Sequence, residues 1–494
     1  MKNLYIVNCG EFEALLSSIQ TFCKYNKYRV KKILDYDEYK DSIIKYFDVE
    51  FHSFYDNIRT KDESSNRSEY EYLDKKTLEF ANKHFATALE ILLVRHNSYG
   101  VNFSYAEAKD LYFTSLNRAI GELRLNHINL IIFNHIPHHF NTYILYLASK
   151  FLKIQTLFFT ILCFNGFRYF FDKEIGVRGF SVKMKIPSGN SVDKLDFIEY
   201  EKIKNRSKYE TPIYIGNFFN RSYTNLFIKI FGSNLYSLSL ISIIGAWKNG
   251  FFSIKKNHHK ISCNKSFNNE KFPNNLALMV KQIKEKYLNK KIANTYHNFS
   301  SPKEKIASCY VIFAPNYQPE ATTLPSAGDY SNILLCIRLL RASLPEDIQI
   351  VYKEHEDIFN LNLEGFRCRD YDFYSNVAAI NNLIIIERSA NQIELIDNSL
   401  CIVIQTSNIG LEAGIRGKKV IAFGPSWFDE LGFVTKWNDF IKSKNFYQFL
   451  GKKHFFNRSL LLEINKYTLR IPKSYNANDG LKEKLTKLIE NCLI

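Results

Sequence analysis

Leu400-Cys401-Ile402-Val403-Ile404-Gln405-Thr406-Ser407-Asn408-Ile409-Gly410-Leu411-Glu412-Ala413 is the stretch whose reading decides the fold. Five apolar residues run without interruption into a polar trio, and helix-like spacing resumes near Ile409. Three neighbouring runs share the design. Tyr310-Val311-Ile312-Phe313-Ala314 leads into Pro315-Asn316-Tyr317-Gln318-Pro319-Glu320. Ile348-Gln349-Ile350-Val351-Tyr352 leads into Lys353-Glu354-His355, and Lys419-Val420-Ile421-Ala422-Phe423 ends at Gly424-Pro425. Apolar runs of this length, mostly followed by helix-like segments, are predicted as buried parallel strands. Ligands of open α/β sheets bind outside the carboxyl ends of the strands, where all these polar clusters fall. Residues 310–433 therefore read as a nucleotide-binding lobe.

Outward from this lobe, the N-terminus repeats the theme. Leu4-Tyr5-Ile6-Val7 is apolar, Asn8-Cys9-Gly10 follows, and a helix-like pattern covers 11–25. The opening suits a Rossmann-like lobe and is too short and too quickly polar for a signal peptide. The fingerprint G-x-G-x-x-G is absent, so a dinucleotide is not implied. Helices are expected over 75–95 and 104–124. Ile128-Asn129-Leu130-Ile131-Ile132-Phe133 reads as a strand, followed by Asn134-His135-Ile136-Pro137-His138-His139, a helix over 141–152 and a strand over 155–162. This is a βαβ unit with its polar loop at a strand end. The three histidines admit three readings. As metal ligands they lack a partner in the sequence. They would otherwise cap the next helix, or face an interlobe cleft as acid, base or substrate contact.

With 494 residues the chain is too long for one core, and two or three domains are expected. The expected boundaries are 1–300 for an N-terminal lobe with helical insertions and linker, 306–475 for the nucleotide-binding lobe, and 478–494 for a final amphipathic helix. The formal net charge of +16 suits nucleic acid, an anionic membrane surface or anionic small substrates, or reflects only a biased composition. No nucleic-acid-binding signature is present, so that partner ranks last. None of the nine cysteines forms a C-x-x-C pair, which suits reduced thiols in a cytosolic protein. Residues 230–247 are uncharged, but they are short of a span and carry several serines and glycines. Beside the basic cluster that follows, they read as a buried core helix or as a segment lying on an anionic membrane.

The strand-end loops carry the candidate chemistry. Gln405, Thr406 and Ser407 precede a helix start, where hydroxyls and orphan N–H groups favour an anion. The same residue types also serve as simple N-caps. Glu412, one turn on, would accept hydrogen bonds from a ribose, a base or a neighbouring loop. Lys353 offers a point charge to a phosphate and His355 a second donor, although a charged strand-end loop is usually just solvated. Glu320, placed in a cleft, would gain an acid/base role through desolvation; the simpler reading is a turn beside Pro319.

These residues carry a resemblance. Tyr317-Gln318-Pro319-Glu320-Ala321-Thr322-Thr323, Lys353-Glu354-His355, the run from Thr406 to Ala413, Gly417-Lys418-Lys419-Val420 and Phe423-Gly424 together resemble the capsule polysaccharide biosynthesis family. That family includes transferases of the 3-deoxy-manno-octulosonic acid (Kdo) type and is similar in motif layout to bacterial sialyltransferases. The resemblance implies an α/β GT-B-like fold, two Rossmann-like lobes with parallel sheets facing an interlobe cleft. It further implies a CMP-activated ulosonic acid donor and no metal or other cofactor. Lys353 and His355 match a nucleotide-contacting Lys-x-His-Pro motif, with Glu356 in place of its proline. Thr406 and Ser407 match a pair that holds the donor phosphate. Asn165 stands where the family's catalytic aspartate is expected, so His135, His138 and Glu320 become the catalytic candidates, with Asp172 and Glu174 behind them. Gln405, Gly410 and Glu412 complete the expected nucleotide site.

The expectation is a glycosyltransferase of bacterial surface polysaccharide synthesis at the cytoplasmic face of the membrane, with a CMP-sugar donor and a glycan or glycolipid acceptor. The alternatives are a non-catalytic protein of the same fold in an export or assembly complex, and a transferase or epimerase using a UDP-sugar.

Overall fold

The structure is a computed structural model that describes residues 1–49, 51–53, 73–96, 104–164, 167–176, 194–205, 275–359, 365–443, 445–453, 456–462, 468–470 and 479–493. Asn165 and the uncharged stretch 230–247 lie outside the described residues. The chain divides into a compact unit of Met1–Arg206 with Lys290–Ile494, which holds both sheets, and a second unit, Ser207–Asn289.

The first sheet contains β1 (Lys2–Val7), β2 (Tyr28–Asp35), β3 (Phe51–Ser53), β4 (Ile128–Phe133), β5 (Gln155–Cys163) and β6 (Phe167–Asp172). The second contains β7 (Ser300–Ser301), β8 (Tyr310–Ala314), β9 (Gln349–Tyr352), β10 (Leu383–Ile386), β11 (Cys401–Ile404), β12 (Lys419–Ala422) and β13 (Val434–Lys436). A last short strand, β14 (Leu469–Arg470), returns to the first sheet and pairs antiparallel with β6. The strand orders are β14-β6-β5-β4-β1-β2-β3 and β13-β12-β11-β8-β9-β10-β7. The second sheet is parallel throughout its described pairs. The fold is thus the two-lobed, GT-B-like α/β arrangement. Strands β8, β9, β11 and β12 are buried at every position. Burial on both faces is what makes their sequences mainly apolar rather than alternating.

The helices used below are α1 (Glu13–Asn26), α2 (Lys75–Ile91), α3 (Tyr105–Leu125), α4 (Phe140–Phe151), α5 (Ile333–Ser343), α6 (Ile409–Ile415) and α7 (Asp479–Leu493). Local signals set their starts. Asp74 caps α2 by accepting from the Thr77 amide, Asn332 caps α5, and Ser104 and Glu107 form a reciprocal capping box on α3.

Helix α7 carries Leu481, Leu485, Leu488, Ile489 and Cys492 on one face, and this face joins a core with Leu4, Ile6, Leu15 and Ile19. Its i, i+4, i+7, i+8 spacing makes one apolar stripe, and each large side chain buried there contributes roughly 1.5–3 kcal/mol. The chain end therefore packs on the first lobe. Among the described residues no helix is long and apolar enough to cross a membrane.

Candidate functional site

Both sheets have a topological switch point. In the second, β8, β9 and β10 run outward on one side, while β11 and β12 lie on the other side of β8. In the first, β2 and β3 lie on one side of β1, and β4 and β5 on the other. Crevices open at the carboxyl ends of the two strands that part. These are the ends of β8 and β11 in one lobe, and of β1 and β4 in the other.

At the second crevice Asn316 and Thr406 meet. The Asn316 Nδ2 donates to Thr406 Oγ1 at 2.7 Å, and the Thr406 amide donates to Asn316 Oδ1 at 3.1 Å. The Thr406 hydroxyl donates to the Thr322 carbonyl at 3.0 Å, and the Thr322 hydroxyl to Glu320 Oε2 at 2.7 Å. Gln405 Nε2 donates to the carbonyls of Tyr330 and Ser331 at 2.6 and 3.0 Å. The side chains of Gln405 and Thr406 thus tie down the loop after β8. Ser407 is half-buried, and its hydroxyl makes no side-chain hydrogen bond among the described residues.

Helix α6 has seven residues, and its Gly410, Leu411 and Glu412 amides donate to the Ser407 and Asn408 carbonyls. Those first-turn donors are therefore not waiting for an anion. Gly410 serves packing: a Cβ there would lie 2.7 Å from Ile404 Cδ1. Glu412 is buried in α6. Glu320 is exposed.

Lys353 and Glu354 lie buried at the end of β9. The Lys353 ammonium donates to the Arg388 carbonyl at 3.4 Å, and burial pulls its pKa down. The Asp357 amide donates to His355 Nδ1 at 3.2 Å, which puts the proton of the neutral ring on Nε2. The Tyr317 ring meets His355 edge-on at 5.5 Å. Behind them, Glu354 accepts from Tyr352 and Tyr374 hydroxyls at 2.7 and 2.8 Å and from the His355 amide at 2.8 Å. Arg369 donates to both its oxygens, at 2.9 and 3.0 Å. Burial alone would raise the Glu354 pKa, but the Arg369 charge and these donors hold it below the usual carboxylate value. Arg369 also donates to Gln318 Oε1, and Gln318 Nε2 to the Ser331 carbonyl. Ser331 Oγ donates across the lobes to Glu90 on α2 at 3.1 Å.

The first crevice is a cavity of about 330 Å³ lined in part by Asn8, Glu11, Tyr36, Asn134, His135 and His138. His135 Nε2 accepts from the Asn134 amide group at 3.2 Å, and burial holds this imidazole toward its neutral form. His138 Nδ1–H donates to the Ile136 carbonyl at 2.6 Å, so the lone pair of its neutral ring lies on Nε2. The His138 and His139 rings lie 4.3 Å apart. No group of three or more metal-ligating side chains occurs among the described residues. Asp172 accepts from Thr160 at 3.0 Å inside the first sheet, and Glu174 pairs with Lys150 at the surface.

The fold thus brings His135 and His138 together at one crevice, and Gln405, Thr406 and the Glu320 loop at the other. Asn316 and the Glu354–Arg369 pair were missed. Asn316 sits in a loop that the sequence marked as polar. Arg369 carries no local signal, because only the fold places it against Glu354.

Residues 245–465 match the family described as capsule polysaccharide biosynthesis protein. The match covers less than half of the chain. The matched stretch contains the whole second sheet and its switch point. No curated protein matches the chain. Solved structures similar to it include the UDP-GlcNAc 2-epimerase from Methanocaldococcus jannaschii, at 12% identity over 99% of each chain with a TM-score of 0.25. Two others are structures of KpsC from Thermosulfurimonas dismutans. The beta Kdo 2,7 transferase is 11% identical over 75% of this chain and 88% of its own, with a TM-score of 0.30. The beta Kdo 2,4 transferase is 11% identical over 73% and 87%, with a TM-score of 0.28. At TM-scores below 0.5 these likenesses carry no argument about activity.

Proposed function

We propose that this protein is a glycosyltransferase of capsule or related surface polysaccharide synthesis, transferring an ulosonic acid from its CMP conjugate to a glycan or glycolipid acceptor. The observation that carries the reading is the family match over 245–465, which spans the second sheet with its switch-point crevice. The CMP moiety would sit at the carboxyl ends of β8, β9 and β11. There the Lys353 ammonium would offset phosphate charge, His355 Nε2–H would donate to the nucleotide, and the Ser407 hydroxyl would face the leaving group. His138 Nε2 would take the proton of the acceptor hydroxyl as that oxygen bonds the anomeric carbon and CMP departs. The net charge of +16 suits an anionic donor and work beside an anionic membrane face.

Calorimetric titration with CMP, UDP and GDP, with and without magnesium, tests the donor. Metal-free CMP binding that is lost in His355→Ala, followed by transfer from a CMP-ulosonic acid, is the expected result. Preference for UDP would move the assignment to a UDP-sugar enzyme. Absence of binding to all three would favour a non-catalytic member of the fold.

A further inference from the structure

We infer that the first-lobe cavity seats a neutral, hydroxyl-rich sugar ring and discriminates against an acidic one. The inference rests on the transferase reading and names the acceptor class for it. Its first ground is the lining. Tyr36, Tyr39 and Phe133 are its aromatic lining residues, and Asn8, Asn134 and Thr142 supply neutral polar groups. Among the described lining residues Glu11 is the sole carboxylate, and no lysine or arginine is present. A pocket of aromatic walls with a few placed polar groups orients a small polar ligand. Glu11 is exposed, and a carboxylate on that ligand would meet its like charge without a lysine or arginine in the lining to offset it, which disfavours binding.

The second ground is an unmatched acceptor. Asn8 Oδ1 is buried and has no hydrogen-bond partner. Leaving such an oxygen unpaired is costly, and a ligand hydroxyl would relieve it once the Asn8 side chain turns toward the cavity. Asn8 closes β1 with φ of 55°, a conformation that asparagine tolerates better than most residues. The loop it begins is held from behind, since Asp35 accepts from the Gly10 amide at 2.7 Å and from the Tyr36 amide at 2.8 Å. Asp35 itself is buried behind that loop. Its burial pushes its pKa up to about 7, so it is partly ionised at neutral pH.

The test is saturation-transfer NMR and titration of the full chain at a mildly alkaline pH. The probes are methyl glucoside, methyl galactoside and N-acetylglucosamine, set against glucuronate and galacturonate. At least one neutral sugar should bind, with its uronate about tenfold weaker. Asn8→Gly, which suits the positive φ, should weaken the neutral sugar about tenfold, and Glu11→Gln should narrow the gap between neutral and acidic sugars. A thermal melt on each variant reports folding. If Asn8→Gly does not fold, the wild-type comparison and Glu11→Gln decide. Uronates bound as tightly as neutral sugars, no neutral sugar bound, or sugar binding unchanged in folded Asn8→Gly would each overturn the inference. CMP titration is read separately. CMP bound without sugar removes this inference alone, and sugar bound without CMP removes the donor reading alone.

Discussion

Asn316 and Thr406, ninety residues apart in sequence, exchange two hydrogen bonds across the switch point of the second sheet, at 2.7 and 3.1 Å. Both side chains are buried, so neither bond is readily replaced by water. The pair fixes the spacing of the β8 and β11 loops, between which a ligand of this lobe would lie.

Asn316→Ala leaves the Thr406 amide without its buried acceptor. The expected loss is roughly 1–3 kcal/mol of stability, with weaker nucleotide binding in the protein that remains folded. Urea unfolding measures the first and calorimetry the second. An unchanged midpoint would show that the clamp is not structural.

Glu354→Gln should be among the most damaging single changes in the second lobe. It strips the buried Arg369 of its counter-charge, at a cost of roughly 3–5 kcal/mol. Glu354→Gln with Arg369→Met should recover part of that loss, because the unpaired charge goes too. The wild-type pair also predicts acid sensitivity. The Glu354 carboxyl is held below its unfolded value, so its contribution is present above that value and is lost as pH falls through the folded one. Equal unfolding midpoints for the single and double variants would refute the charge argument.

Asp35 predicts the opposite slope. Burial raises its folded pKa from 3.8 to about 7, against the opposing amides of Gly10, Tyr36 and Cys9. The folded chain therefore holds this proton where the unfolded chain has released it. Its contribution is full below the unfolded value and declines as pH rises toward about 7. Melting temperatures from pH 4.5 to 8 should fall less steeply in Asp35→Asn than in the wild type. Parallel curves would show that Asp35 ionises as it does in an unfolded chain.

Gly424→Ala should loosen the same crevice from its other side. A Cβ there would lie 2.7 Å from Thr406 Cγ2 and 3.1 Å from the Ala327 backbone. Forcing the loops apart is expected to cost roughly 1–3 kcal/mol and to weaken nucleotide binding. Wild-type unfolding and binding in this variant would mean that the loops yield freely.

The sequence by itself determined the strands that are buried on both faces. β8 and β11 had to be continuous apolar runs, and their polar carboxyl ends, with that of the mostly buried β4, marked both candidate crevices. The helices with apolar stripes, α1 and α7, were legible for the same reason. β2 was not: its half-exposed first residues carry Arg29, Lys31 and Lys32, which mask the strand signal. The two-residue strands β7 and β14 are too short to show any period. Only the tertiary structure decided which loops became neighbours. Strand order, not local composition, set β11 beside β8 and so joined Thr406 to Asn316. It likewise brought Arg369 to Glu354 and Asp35 to Gly10. Burial then gave these contacts their weight, since a polar group removed from water needs a partner that the chain supplies from a distance.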